Sequence, residues 1–306
     1  MNTIPNTDLD VHPLCLGGNV FGWTADEDES FAVLDAYREA GGNFIDTADV
    51  YLSPNPGISE TIIGKWMAAR DNRDEIVIAT KVGADGGLGE ANIREHVDGS
   101  LRRLGTDRVD LYYAHKDDPD TPIEETLRTF DSLVGDGKVR HIAASNFTAE
   151  RLEESLATSA REGLAAYVAL QPHYNLMERR DYEAELAPVV AEHGLGVMPY
   201  FSLAKGFLTG KYRPDGDAVD SPRAEGAAEY LDTPRGPAVL EALDAVADDH
   251  GEPLAAVALA WLAARSGVTA PIASARNEEQ LTGILPVATL ELSAEEIERL
   301  TEASTA

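Results

Sequence analysis

The chain has 306 residues, 43% of them hydrophobic, one cysteine and a formal net charge of −29 at pH 7. A single cysteine excludes an intrachain disulfide, and no apolar run approaches the roughly 20 residues that a bilayer span needs. The 54 acidic residues against 25 basic ones argue against nucleic-acid and membrane partners, because a field of that sign repels phosphate.

The segment Met1 to Val11 lacks the charged and apolar regions of a signal peptide, so a cytoplasmic protein is expected. The basic residues include only six lysines: Lys65, Lys81, Lys116, Lys138, Lys205 and Lys211. Acids are spread over predicted helices and loops, not gathered into a tail. Such a surface repels itself in dilute buffer, and at about 1 M salt the screening length falls to about 3 Å. A high-salt, halophilic cytoplasm is the expectation that follows. Cys15, within the apolar run Leu14-Cys15-Leu16, reads as a buried inert thiol.

The predicted elements alternate. Val11–Phe21 begins with a strand and turns at Gly17-Gly18-Asn19. Phe31, Val33, Leu34 and Tyr37 recur at helical spacing, which predicts a helix over Asp28–Ala40 ended by Gly41-Gly42. Phe44 and Ile45 form a short strand with Asp46 at its end. Ser59–Met67 is a helix with Ile62, Ile63 and Trp66 inward. The run Ile76–Thr80 ends in Lys81. Glu90–Leu104 is helical, and Gly105 suits its C-cap. Val109–Ala114 is a strand ending at His115, and Pro122–Val134 a helix with proline at its start. Val139–Ser145 is the fifth strand, followed by a helix over Thr148–Ser159 with Thr148 as N-cap. Tyr167–Leu170 leads to Gln171, Arg180–His193 is a helix, and Gly196–Tyr200 is the seventh strand. A long loop with several glycines and prolines, Phe201–Asp232, follows. Helices over Pro237–His250 and Pro253–Arg265 precede the eighth strand, Val268–Ala273. Helices over Glu278–Leu285 and Ser293–Glu302 close the chain.

Strands alternating with helices argue for a parallel sheet. Eight such units without a Rossmann glycine fingerprint predict an α/β fold, a (β/α)8 TIM barrel, as a single domain over residues 1–306. The glycine-rich run Gly83–Gly89 has neither GxGxxG nor a P-loop lysine and reads as a loop. The acids and histidines show no metal-ligand spacing, so no metal is expected. In this fold the C-terminal strand ends converge on one mouth, where catalysis takes place. Asp46, Lys81 and His115 lie at three such ends, and Tyr51 lies five residues past the first of them.

The motifs FIDTADVY, IATK, DLYYAHK and AASNF, in that order, resemble those of the aldo-keto reductase superfamily. The likeness is to its aryl-alcohol-dehydrogenase-like branch, with potassium-channel β subunits as more distant relatives, and it runs from about Leu14 to Leu292. Carbonyl reduction needs a hydride on carbon and a proton on oxygen. A free tyrosine, with a pKa of about 10, is a poor proton donor at neutral pH. An ammonium beside it favours tyrosinate, and Lys81 can supply one while Asp46 pairs with Lys81. His115 can bond the substrate oxygen. The resemblance gives Tyr51 the role of general acid–base and makes Asp46, Lys81 and His115 its tuning and orienting partners.

The resemblance also implies a nicotinamide cofactor. Ser145 and Asn146 match the pair that binds the carboxamide, Gln171 the residue on its other side, and Tyr200 the aromatic that stacks on the ring. Gly18, Asn19 and Asp46 fall beside it. The segment Tyr200–Tyr212 resembles the loop over the pyrophosphate, with Leu203 and Gly206 offering N–H groups and Lys211 an ammonium. It departs from the usual Ser-Pro at Phe201-Ser202. Ser274, Arg276 and Gln280 match the adenosine end, where Ala273-Ser274 stand in place of Pro-Gly and Ile284 in place of Asn. Arg276 is suited to a 2′-phosphate, which favours NADP (NADPH), although Glu278 and Glu279 stand close by. Phe21, Trp23, Tyr113, Phe147 and Tyr174 are expected at the pocket rim, suiting a small-molecule aldehyde or ketone with an apolar body. The expected function is NADPH-dependent reduction of such carbonyls. Two alternatives are a nucleotide-sensing regulatory subunit of the same fold and a Schiff-base enzyme using Lys81.

Overall fold

The computed structural model describes residues 1–51, 56–214, 216 and 219–305. Eight parallel strands line its centre: β3 (Cys15–Gly17), β4 (Phe44–Asp46), β5 (Val77–Val82), β6 (Val109–Ala114), β7 (Val139–Ser145), β8 (Tyr167–Gln171), β9 (Gly196–Val197) and β10 (Ile272–Ala273). They are ordered β10-β3-β4-β5-β6-β7-β8-β9. The two ends of this series meet. Val268 bridges Val197 in parallel, and the N–H of Ile272 donates to the Pro199 carbonyl at 2.9 Å. The sheet is therefore the wall of the expected (β/α)8 barrel.

Side chains alternate across each strand with period two. Cys15, Phe44, Ala79, Tyr113, Ala143 and Ala169 face one another in the inner core. Their neighbours Leu16, Ile45, Ile78, Tyr112, Ala144 and Leu170 join the second core, between the wall and the helices. The N-terminal hairpin, β1 (Asn2–Thr3) with β2 (Asp10–Val11), closes the strand starts, and its Ile4, Leu9 and Val11 join the inner core.

The outer layer is α1 (Glu27–Glu39), α2 (Ile58–Arg70), α3 (Glu90–Leu104), α4 (Ile123–Gly135), α5 (Ala149–Glu162), α6 (Ala187–His193), α7 (Ala224–Ala228), α8 (Arg235–His250), α9 (Leu254–Ala263), α10 (Glu278–Thr282) and α11 (Ala294–Ala303). Thr148 caps α5, its hydroxyl accepting from the Arg151 N–H at 3.2 Å. Gly105 ends α3 at φ 64°, a left-handed conformation that glycine adopts at little cost.

Proline explains several departures from the predicted bounds. The helix expected over Arg180–His193 begins as a wide π turn, Tyr182–Leu186, and becomes α-helical only at Ala187. Pro188 has no N–H to give to the preceding turn. The regular part of the seventh strand ends at Val197, although Met198 and Tyr200 still donate to the Leu170 and Pro172 carbonyls, and the eighth is regular only after Pro271, which cannot donate. The first strand is confined to Cys15–Gly17 and passes into a 3-10 turn, Gly18–Val20. Within the loop expected over Phe201–Asp232 lie a 3-10 turn, Ala204–Thr209, and α7; its positions 215, 217 and 218 are outside the described residues. No helix among the described residues is long and apolar enough to cross a membrane.

Candidate active site

The strand alternation that builds the inner core also builds the layer above it. Two residues beyond Cys15, Phe44, Ala79 and Tyr113 stand Gly17, Asp46, Lys81 and His115. Two beyond Ala143, Ala169, Met198 and Ile272 stand Ser145, Gln171, Tyr200 and Ser274. Seven of these eight line one cavity of about 620 Å³ at the strand ends. The eighth, Lys81, is fully buried behind it and reaches it through its partners.

The Lys81 ammonium has three protons and three acceptors. It donates to Asp46 Oδ2 at 2.6 Å, to the Thr47 carbonyl at 2.7 Å and to the Tyr51 hydroxyl at 3.1 Å. Asp46 Oδ1 in turn accepts from Gln171 Nε2 at 2.8 Å. Burial alone would lower the lysine, but Asp46 and Tyr51 more than offset it and raise Lys81 above its ordinary value.

The effect on Tyr51 differs from the sequence expectation. Burial pushes its phenol above the ordinary 10.0; Lys81 pulls it down, and Asp46 pushes it up again. The carboxylate that makes the buried ammonium affordable also cancels much of its field. Tyr51 is thus a protonated phenol at neutral pH, suited to donate its proton. The His115 imidazole is held neutral, its pKa lowered to about 3 by burial and by the charges of Lys81 and Lys116. Its ring lies edge-on to Tyr51 at 6.2 Å, and its buried Nδ1 has no partner among the described residues.

Across the cavity, the Tyr200 hydroxyl donates to Asn146 Oδ1 at 2.8 Å. Asn146 Nδ2 donates to the His115 carbonyl at 2.8 Å, and the Ser145 hydroxyl donates to the Gln171 carbonyl at 2.9 Å. One face of the Tyr200 ring stacks on His173 at 5.3 Å and 13°. Further along, Ser274 Oγ donates to Asn19 Oδ1 at 2.5 Å, and the Arg276 N–H donates to Gln280 Oε1 at 3.1 Å. A Cβ at Gly17 would lie 2.5 Å from Ser274 Oγ, so glycine is needed for this junction.

Four cations, Lys205, Lys211, Arg223 and Arg276, line the same cleft, and none forms an ion pair among the described residues. Burial lowers Lys211, and the charges of Arg276 and Arg223 lower it further. In a chain of net charge −29, this is a concentrated positive pocket that an anion would relieve. The Arg223 guanidinium lies between two aromatic rings, 5.8 Å from Trp23 and 5.4 Å from Phe201.

Several expected positions are corrected. Gly18 does not line the cavity: its carbonyl accepts from Ser59 Oγ at 2.8 Å, and a Cβ there would meet the same oxygen. Gly17 takes the place instead, because it is two residues from inward-facing Cys15. Gly206 lines the cavity, yet its N–H already donates to the Leu203 carbonyl at 2.8 Å. Of the five rim aromatics only Trp23 lines the cleft. Tyr113 lies in the inner core below Lys81, and Phe147 packs on Tyr167 at 5.7 Å. Tyr174 packs on Tyr182 at 4.4 Å, and Phe21 is fully buried. Arg223 is a cleft residue that the sequence did not disclose, because an arginine beside a proline in a long loop gives no periodic signal.

Residues 13–305 match the sequence model of the Aldo/keto reductase family. The chain is similar to norsolorinic acid reductase B of Aspergillus parasiticus, at 33% identity over 98% of this chain and 82% of that protein. It is similar to an aryl-alcohol dehydrogenase of Pestalotiopsis microspora, at 32% identity over 97% of this chain and 79% of the relative. It is also similar to a probable voltage-gated potassium channel subunit beta of Oryza sativa subsp. japonica, at 35% identity over 89% of this chain and 86% of the relative.

Proposed function

The chain belongs to the aldo/keto reductase family, and on that premise we propose that it is an NADPH-dependent reductase of aldehydes or ketones with Tyr51 as proton donor. The observation that carries this reading is the saturated Lys81 ammonium, bonded at once to Asp46 and to the Tyr51 hydroxyl beneath an open cleft. A lysine so engaged has no lone pair with which to attack a carbonyl, which argues against Schiff-base chemistry.

The residues fit a nicotinamide dinucleotide. Tyr200, with one face on His173, offers a flat wall for the ring. Ser145, Asn146 and Gln171 carry the polar atoms for a carboxamide. Lys211 and Arg223, unpaired among the described residues, suit a pyrophosphate. Arg276, at the Ser274–Gln280 end, suits a 2′-phosphate, which favours NADPH. When bound, the cofactor supplies the hydride.

The chain's own residues do the rest. Neutral His115 donates a hydrogen bond to the substrate oxygen and orients it. Tyr51 gives that oxygen its proton as negative charge develops there. Lys81 stabilises the phenolate left behind, and Asp46, itself held by Gln171, holds Lys81. The exposed aromatics Trp23 and Phe201 at the mouth suit a substrate with an apolar body.

The test is Tyr51→Phe, which keeps the ring and removes only the proton. NADPH binding by fluorescence titration should stay close to wild type, while turnover of an aromatic aldehyde falls by roughly 10² to 10⁴. A variant retaining more than half the wild-type rate refutes the assignment. The similarity to the potassium-channel relative favours a second reading, a nucleotide-sensing subunit. Cofactor binding without turnover across a carbonyl panel would select it.

A further inference from the structure

Tyr51 is carried by a turn, Thr47 to Tyr51, whose start is held by the Thr47 N–H donating to the Ala79 carbonyl at 2.9 Å but whose backbone bonds beyond Thr47 are long. The Tyr51 N–H reaches the Ala48 carbonyl at 3.4 Å, and the Asp49 N–H reaches the Lys81 carbonyl at 3.5 Å. The part beyond Thr47 is left for side chains to fix. Thr47 is tied to α2 through its hydroxyl, 2.8 Å from Ser59 Oγ. Nearer the phenol, the anchor is Asp49. Its carboxylate is almost fully buried, and Oδ2 lies 2.5 Å from His96 Nδ1 on α3. Asp49 Oδ1 is buried with no partner among the described residues. A carboxyl placed this way forfeits hydration without full repayment. Burial accordingly pushes Asp49 up, with His96 opposing. Neither residue lines the cleft, so contact with ligand does not account for this cost.

We propose that the Asp49–His96 pair is a positioning device for the proton donor: it fastens the turn to α3 and so sets the Tyr51 hydroxyl over Lys81. Asp49 stands two residues before Tyr51, and its carboxylate reaches α3 while Tyr51 reaches Lys81. Loss of the pair frees the turn to shift while leaving the cofactor cleft, built from β3, β7 to β10 and their loops, in place. The inference rests on the reading of Tyr51 as proton donor.

The experiment compares Asp49→Ala, His96→Ala, the double variant and Asp49→Asn, each alone and with Tyr51→Phe, using NADPH and an aromatic aldehyde. Asp49→Ala and His96→Ala should each lower kcat about ten- to a hundredfold, as a small misplacement of a reacting group does. KM and the NADPH dissociation constant should change by less than about twofold, since only transition-state contacts are lost. The double variant should be no worse than either single one. Asp49→Asn keeps both a donor and an acceptor for either imidazole tautomer, and it should retain at least about a third of wild-type kcat. With Tyr51→Phe in place, Asp49→Ala should cost nothing further. His96 is partly exposed and carries the test if Asp49→Ala does not fold. A lower melting temperature with unchanged kcat overturns the proposal, as does the same fractional loss in the Tyr51→Phe background. If Tyr51→Phe is itself active, it is the proton-donor reading that has failed.

Discussion

Replacing Lys81 by methionine should be among the most destabilising single changes available at the site. The side chain is fully buried and packs over the Tyr51 ring at 5.0 Å, so methionine fills most of the volume. The loss is electrostatic. Three donations disappear, to Asp46 at 2.6 Å, Thr47 at 2.7 Å and Tyr51 at 3.1 Å. Among the described residues the Asp46 carboxylate keeps only the Gln171 amide. Removing one member of a buried ion pair costs about 3 to 5 kcal/mol, chiefly because the other charge is left without its partner. At roughly 2 to 4 °C per kcal/mol for chains near this size, the melting temperature should fall by about 10 °C. Asp46→Asn added to Lys81→Met removes the stranded charge and should recover most of that fall. Turnover should not recover with it, because Tyr51 still lacks the cation that stabilises its phenolate. Thermal melts by circular dichroism and aldehyde turnover, run on the two variants, separate the effects. A Lys81→Met protein that melts within about 2 °C of wild type would refute the energetic argument, and so would a double variant less stable than the single one.

Arg276→Ala should weaken NADPH binding roughly ten- to a hundredfold and NADH binding little, since a charge-assisted hydrogen bond is worth about 1.5 to 3 kcal/mol; equal losses in paired titrations would show that Arg276 does not read the 2′-phosphate. His115 has a folded pKa of about 3 against an ordinary 6.5, so the unfolded chain binds a proton first. Its stabilising contribution is complete above pH 6.5 and is lost as pH falls toward 3. Urea melts from pH 7 to 4 should therefore show a shallower acid slope for His115→Gln, and identical slopes would refute this. The net charge of −29 should make the melting temperature rise from dilute buffer to molar KCl, because screening relieves repulsion summed over dozens of charges. A flat or falling curve would remove the case for a high-salt protein and leave the chemistry untouched.

The sequence disclosed the alternation of the barrel because each element carries its own punctuation. Gly105 at the end of α3 and Thr148 at the start of α5 are local signals read by local rules. Strand bounds were less legible. Val11–Phe21 and Val268–Ala273 are mostly apolar, yet only three and two residues of them pair regularly in the wall. Apolarity reports burial, whereas strand pairing also needs a neighbour in register and an N–H to donate. Pro271 lacks the N–H, and Gly18 leaves the register by entering a 3-10 turn.

At the site, the legible part follows from the parity of the wall. Once Ala79 is known to face inward, Lys81 must also, and the step of two carries Phe44 to Asp46, Tyr113 to His115 and Ala169 to Gln171. That step separates Gly17 from Gly18 as well. Two adjacent glycines are alike in composition and differ only in which face of the wall they occupy. What parity cannot supply is anything set by distant chain segments meeting. Arg223 owes its place to Trp23 and Phe201, which stand about 200 and 20 residues before it, and stacking of this kind leaves no periodic trace. The proton affinity of Tyr51 belongs to the same class. The residues beside it in sequence include the ammonium's partner, Asp46, but the balance among burial, Lys81 and Asp46 depends on three-dimensional depth. A lysine near a tyrosine predicts a more acidic phenol only when the lysine's charge is not already answered. Here burial raises the phenol and Asp46, 2.6 Å from the ammonium, offsets part of the Lys81 pull, so Tyr51 rests protonated, as the proposed proton donation requires.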